Sequence, residues 1–123
     1  MNRTILIADD HADLRKLIRM TLLGGPFTVL EAEDGVQALA DARARRPDLI
    51  ILDVMMPGEL DGYQVCAAVK ADPALRDVPV ILVTARAQRA DLQAGQEAGA
   101  DAYLIKPFSP MELLERVTAM LGN

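Results

Sequence analysis

Leu49-Ile50-Ile51-Leu52-Asp53 decides the fold. The run is short, continuously apolar and closed by one carboxylate. It shows none of the polar–apolar alternation that marks a strand with one wet face. Such a run suits a strand buried on both faces, as in a parallel sheet covered by helices. Three further runs share this character: Thr4–Ala8 before it, Val78–Val83 and Ala102–Ile105 after it. A weaker run, Phe27–Ala32, supplies a fifth candidate strand.

Helical patterns lie between these runs. Leu14, Leu17, Ile18, Thr21 and Leu22 fall on one face of a helix. Val36, Leu39, Ala40 and Arg43 give a weaker stripe, Val65, Cys66 and Val69 a third, and Leu113, Leu114, Val117 and Leu121 the last. Ser109-Pro110-Met111-Glu112 reads as a capping box with Pro at the first helical position. Asp34 with Gln37, and Asp61 with Gln64, repeat the cap chemistry. Ala87–Ala98 is rich in Ala and Gln and poor in large apolar residues, so a loosely packed helix is expected there, stopped by Gly99. Strand and helix alternate five times. The expected fold is therefore α/β, a (βα)5 three-layer sandwich of flavodoxin-like order 2-1-3-4-5.

Composition narrows the function. The 123 residues suit one domain, 1–123, and at 51% hydrophobic they can build a core without disulfides or metal clips. Two Tyr, two Phe and no Trp leave that core to aliphatic residues. The net charge of -5 and the lack of a basic tract argue against direct nucleic-acid binding by this domain. One cysteine, Cys66, excludes an internal disulfide and a Cys-based zinc site, and its apolar neighbours mark it as a core filler. No signal peptide and no long apolar span is evident, so a cytoplasmic protein without membrane contact is expected.

The polar residues are placed at strand ends. Four core strands finish in Asp9-Asp10, Asp53, Thr84 and Lys106. In a parallel sheet these ends share one edge, and Asp9, Asp10 and Asp53 flank the switch point between the first and third strands. Three close carboxylates repel one another, and a hard divalent cation such as Mg²⁺ relieves them. An acceptor carboxylate, a metal seat, an ammonium and a hydroxyl are the parts that phosphoryl transfer needs, because its catalysis is mostly positioning and charge neutralisation. Asp9, Asp10 and Thr84 could instead be caps or turn formers, and Lys106 a solvated loop residue; four strand ends carrying such groups together favour the functional reading. His11, directly after the acidic pair, reads as an exposed start-of-helix residue, with a metal or phosphohistidine role as the alternative.

Four blocks carry a family resemblance across the whole length: Ile7-Ala8-Asp9-Asp10; Leu49 to Pro57 with Asp61-Gly62-Tyr63; Val80 to Ala85; and Gly99 to Phe108. In that order they resemble the receiver domain of bacterial two-component response regulators, the CheY-like family. The resemblance implies that Asp53 is phosphorylated. It implies that Asp10 ligates Mg²⁺ directly, Asp9 acts mainly through water, and the Met55 backbone carbonyl is a further ligand. It implies that Thr84 is the switch hydroxyl and that Ala85 is small to admit the phosphoryl group. Tyr103 would be the aromatic that turns inward with Thr84. Lys106 would bind phosphoryl oxygens, with its bond to Pro107 cis. Phe108 and Met56 fit packing roles. The implied partners are a histidine kinase or phosphotransfer protein and a downstream protein or output domain.

Two departures stand out. The loop from Pro57 to Gly62 looks one residue longer than the family pattern, beside the site. Ala102 stands where many DNA-binding members carry a second acid after Asp101, which weakens a case for their charge-paired dimer. Two other function classes use the same fold or groups. A small Mg²⁺-dependent phosphohydrolase would use similar groups, but its nucleophile usually follows the first strand in an Asp-x-Asp pattern. A flavodoxin-like cofactor binder lacks support, since no phosphate-cradling loop follows the first strand.

Overall fold

The computed structural model describes residues 3–85 and 89–121. Its elements run β1 (Arg3–Ala8), α1 (Ala12–Leu22), β2 (Phe27–Ala32), α2 (Gly35–Arg45), β3 (Leu49–Asp53), α3 (Gly62–Ala71), β4 (Val80–Thr84), α4 (Arg89–Glu97), β5 (Ala102–Ile105) and α5 (Pro110–Leu121). The sheet is parallel throughout, in the order β2-β1-β3-β4-β5. This is the flavodoxin-like (βα)5 sandwich that the apolar runs predict.

The decisive run behaves as its composition requires. Every residue of Leu49–Asp53 is buried, and so is every residue of β4. Side chains alternate between faces, as the two-residue repeat of a strand demands. Leu6, Ala8, Ile50, Leu52 and Leu82 point to one core, shared with Ala38, Ala42, Val65, Cys66 and Val69. Ile5, Ile7, Leu49, Ile51 and Ile81 point to the other, shared with Ile18, Leu22, Leu113 and Val117. Thus α1 and α5 cover one face and α2 and α3 the other.

Three expectations shift. The fourth strand starts at Val80, not Val78, because Val78 donates to the Leu75 carbonyl in a turn and Pro79 has no N–H to give a ladder. It extends to Thr84, so the hydroxyl residue belongs to the strand. The buried stripe of α2 is Gly35, Ala38 and Ala42 with Leu39 half-buried, while Val36, Ala40 and Arg43 are exposed. Small residues bring α2 close to the sheet, and a search for large apolar residues misses that. The described part of α4 is Arg89–Glu97; Ala87 lies outside the described residues.

The caps hold. Asp61 and Gln64 form a reciprocal box, as do Ser109 and Glu112. Asp34 accepts from Gln37 N, but the Gln37 side chain turns to Asp41 instead of back to the cap. Gly99 follows α4 at φ 92°, where a side chain would be strained. Cys66 is fully buried in α3 and donates to the Ala98 carbonyl at 3.4 Å, and burial pushes its thiol up to about 11.

Candidate functional site

The topology builds the site. From β1 the chain moves out to β2, then returns to the other side of β1 as β3, which opens a crevice at the carboxyl ends of those two strands. Asp9 and Asp10 follow β1, and Asp53 closes β3. Asp9 and Asp53 are only 2% and 3% exposed. Asp10 is more open. Thr84 closes β4 and is also buried, at 2%. Backbone pairing places Thr84 beside Ile105, and the Lys106 amide donates to the Thr84 carbonyl at 2.8 Å.

Lys106 crosses from the end of β5. Its Nζ lies 3.1 Å from Asp53 Oδ2 and 3.7 Å from Asp9 Oδ2. The Lys106-Pro107 bond is cis, as expected. The Met55 amide donates to Asp53 Oδ1 at 3.2 Å. Burial holds the Asp53 carboxyl above its ordinary range, and the nearby Asp9 charge adds to the rise; Lys106 and the Met55 amide oppose them. Ala85 is exposed beside Thr84. All these strand-end groups therefore gather at one edge.

Tyr103 stands farther out. It is half-buried in β5, its ring lies against Gly95 of α4, and its hydroxyl donates to the Leu92 carbonyl at 2.8 Å. Burial raises its phenol above the usual value. Tyr63 does the same from α3, donating to the Asp91 carbonyl at 3.1 Å. Two phenols thus hold the first described turns of α4. The motif contains Tyr63, but sequence gave no sign of this second tie.

Other supports were also missed. Arg15, 12% exposed, donates to the Asp9 carbonyl at 2.7 Å and pairs with Glu31, fixing the backbone that carries the acidic pair. Asp101 accepts from Lys70 Nζ and from the Val80 amide, both at 2.8 Å, so it anchors the start of β4. These contacts join residues far apart in sequence, with no local spacing to betray them.

The three carboxylates fit a hard cation. Asp9, Asp10, Asp53 and His11 offer ligand atoms that all lie within 4.8 Å of one another. Two of the three carboxylates are buried, and one ammonium does not balance three acids. A divalent ion held by carboxylate oxygens would offset that charge. A cavity of about 470 Å³ opens beside Asp10, lined also by Met55, Pro57, Asp61 and Gln64. It leaves room for a small anionic group and water.

Known proteins share this sequence pattern and fold. The family described as the response regulator receiver domain matches residues 5–118. The DNA-binding response regulator MtrA of Mycobacterium tuberculosis is 42% identical over 121 residues, covering 98% of this chain and 51% of that protein. The chain thus spans about half the length of the relatives it matches. Among solved structures, a chemotaxis response regulator of Vibrio cholerae superposes with a TM-score of 0.92 at 32% identity, covering 98% of this chain and 100% of the other. The receiver domain of a Pseudomonas aeruginosa sensor histidine kinase gives 0.91 at 32% identity over all of both chains, and that structure has magnesium coordinated in its active-site cleft.

Proposed function

This chain belongs to the response regulator receiver family, and on that premise we propose that Asp53 is the residue that accepts the phosphoryl group. Receiver domains are the phosphoacceptors of two-component signalling. The observation that carries the assignment is the Asp53 carboxylate itself. It is buried at a strand end, contacted on one oxygen by Lys106 and on the other by the Met55 amide, beside Asp9.

Asp9, Asp10, Asp53 and the Met55 carbonyl would hold Mg²⁺, which when bound supplies charge neutralisation to the carboxylates and the incoming phosphoryl oxygens. Asp53 forms the new P–O bond as the P–N bond of a phosphohistidine donor breaks, giving an acyl phosphate. Lys106 is already on Asp53 Oδ2 and pairs with phosphoryl oxygens once they arrive. Thr84 donates its hydroxyl to the same group, and Ala85 keeps the approach open. The added charge of about -1.5 to -2 draws the end of β4 toward Asp53. Tyr103, tied to α4 through Leu92, passes that movement on.

Residues 1–123 form one receiver domain in this reading. The donor is a histidine kinase or histidine phosphotransfer protein, and the receiver of the signal is a downstream protein or an output domain. The matched relatives include a DNA-binding regulator, a chemotaxis protein and a histidine kinase's own receiver, so the fold alone does not choose the output. The domain itself does not bind nucleic acid, given its charge of -5. No helix among the described residues is long and apolar enough to cross a membrane, and a cytoplasmic location is proposed. The chain acts as a switch, with at most self-phosphotransfer and autodephosphorylation as chemistry. A phosphohydrolase is not favoured, because the carboxylate best placed to attack closes β3, not β1.

Incubation with acetyl phosphate and Mg²⁺ tests the assignment. Intact-mass measurement should show one added phosphoryl group on the wild type and none on Asp53→Asn. Equal labelling of the two would place the acceptor elsewhere.

A further inference from the structure

His11 is the chain's only histidine. It occupies the N-cap position of α1, yet its side chain makes no capping hydrogen bond to that helix. Its Nδ1 instead lies 3.0 Å from Asp9 Oδ1 and 3.2 Å from Asp10 Oδ1. The His11 amide also donates to Asp9 Oδ1 at 2.8 Å, which fixes the backbone beneath the ring. The side chain is 64% exposed, so an entering ion reaches it without displacing core residues. Three consecutive residues therefore bring two oxygens and one nitrogen together, and with Asp53 the four ligand atoms all lie within 4.8 Å of one another.

Nitrogen changes what such a site prefers. Carboxylate, carbonyl and water oxygens suit Mg²⁺, whereas imidazole suits Zn²⁺ and other late first-row ions. We propose that His11 Nδ1 is an additional donor to the metal seat, and that it makes the cleft bind Zn²⁺-like divalent ions more tightly than an all-oxygen seat would. Metal binding at Nδ1 uses the neutral imidazole, with its one ring proton on Nε2. The proposal rests on the reading of Asp9, Asp10 and Asp53 as a metal seat. Its consequence is competition: a Zn²⁺-like ion held by His11 occupies the seat that phosphoryl transfer needs for Mg²⁺.

Calorimetric titration of the full chain with MgCl₂ and with ZnCl₂ tests this, using wild type, His11→Gln and Asp10→Asn. Imidazole ¹⁵N NMR reads the same event directly, since one histidine gives one pair of signals. The ratio of Zn²⁺ to Mg²⁺ affinity should fall at least ~10-fold in His11→Gln, the scale of losing even an outer-shell partner. Zn²⁺ should shift the Nδ1 signal of the wild type. An unchanged ratio, or an Nδ1 signal that Zn²⁺ leaves in place, overturns the role of His11 while Mg²⁺ binding by the wild type keeps the seat. Absence of Mg²⁺ binding in the wild type, or undiminished Mg²⁺ binding in Asp10→Asn, overturns the seat and the proposal with it.

Discussion

The ammonium of Lys106 lies 3.1 Å from Oδ2 of Asp53, a contact that spans the sheet edge from the end of β5 to the end of β3. Burial and Asp9 push the Asp53 carboxyl toward its neutral form, and Lys106 opposes both. Lys106→Met removes that opposition while keeping the length of the side chain. The Asp53 carboxyl should then titrate at a higher pH than in the wild type. A ¹³C titration of the Asp53 carboxyl carbon checks this, and equal midpoints in the two proteins would show that Lys106 is not what sustains the charge.

Asp53 also predicts an unusual stability profile. Its folded-state value is raised above the ordinary 3.8. The native state therefore binds more protons than the unfolded chain between those two values, and stability from this residue falls as pH rises through that window. Above the folded value the penalty is complete. Without divalent metal at pH 7, Asp53→Asn should be more stable than the wild type, and its advantage should shrink as pH falls through the folded-state value. Mg²⁺ at a hundred times its Kd should add about 2.7 kcal/mol to the wild type, with much less gained by the variant. Urea unfolding at several pH values, with EDTA and with Mg²⁺, measures all of this. A variant less stable than the wild type in EDTA would contradict it.

The legibility of these features in sequence divides by range. The sheet was legible because Leu49–Asp53 and its companion runs are apolar on both faces and alternate with helical patterns, which a covered parallel sheet accommodates. The strand-end groups were legible because parallel topology puts all such ends on one edge, so Asp9, Asp53, Thr84 and Lys106 share that edge by topology alone. The α2 stripe was misread because Gly35, Ala38 and Ala42 pack by being small, and hydrophobic periodicity weighs size. Arg15 on the Asp9 carbonyl, Asp101 with Lys70, and Tyr63 on Asp91 were invisible, since each joins a side chain to a group from a different element.

The two phenols on α4 give the next expectation. Tyr63 and Tyr103 each donate to a backbone carbonyl of that helix, from α3 and β5 respectively. Each bond should contribute about 0.5–1.5 kcal/mol. Tyr63→Phe and Tyr103→Phe should lower global stability modestly but speed amide exchange in α4 far more than elsewhere, as befits an element at the low-stability end. Hydrogen exchange followed by mass spectrometry resolves the two. Exchange in α4 unchanged in both variants would show that packing, not these hydroxyls, holds the helix.

Gly35 links the long loop to the site. A Cβ at this position would lie 2.3 Å from the Leu60 carbonyl oxygen and 2.8 Å from Leu60 Cβ, so α2 begins directly under the loop that follows β3. Leu60 is partly buried against the core there, and Met55 and Asp61 flank it in the same loop. Gly58, by contrast, has φ 94° but open space around it. The two glycines therefore separate contact from conformation. Gly35→Ala forces the loop to move, and overpacking of this kind costs about 1–3 kcal/mol. Gly58→Ala meets no neighbour and costs only the strain of a side chain at positive φ, about 1–2 kcal/mol. If the loop positions the Met55 carbonyl for metal, Gly35→Ala should weaken Mg²⁺ binding and shorten the lifetime of the acyl phosphate, while Gly58→Ala should lower stability with little effect on either. Phosphoryl lifetime by intact mass, together with Mg²⁺ titration, compares them. Equal Mg²⁺ affinity in Gly35→Ala and wild type, in a folded protein, would mean that the loop adjusts at Leu60 without disturbing Met55.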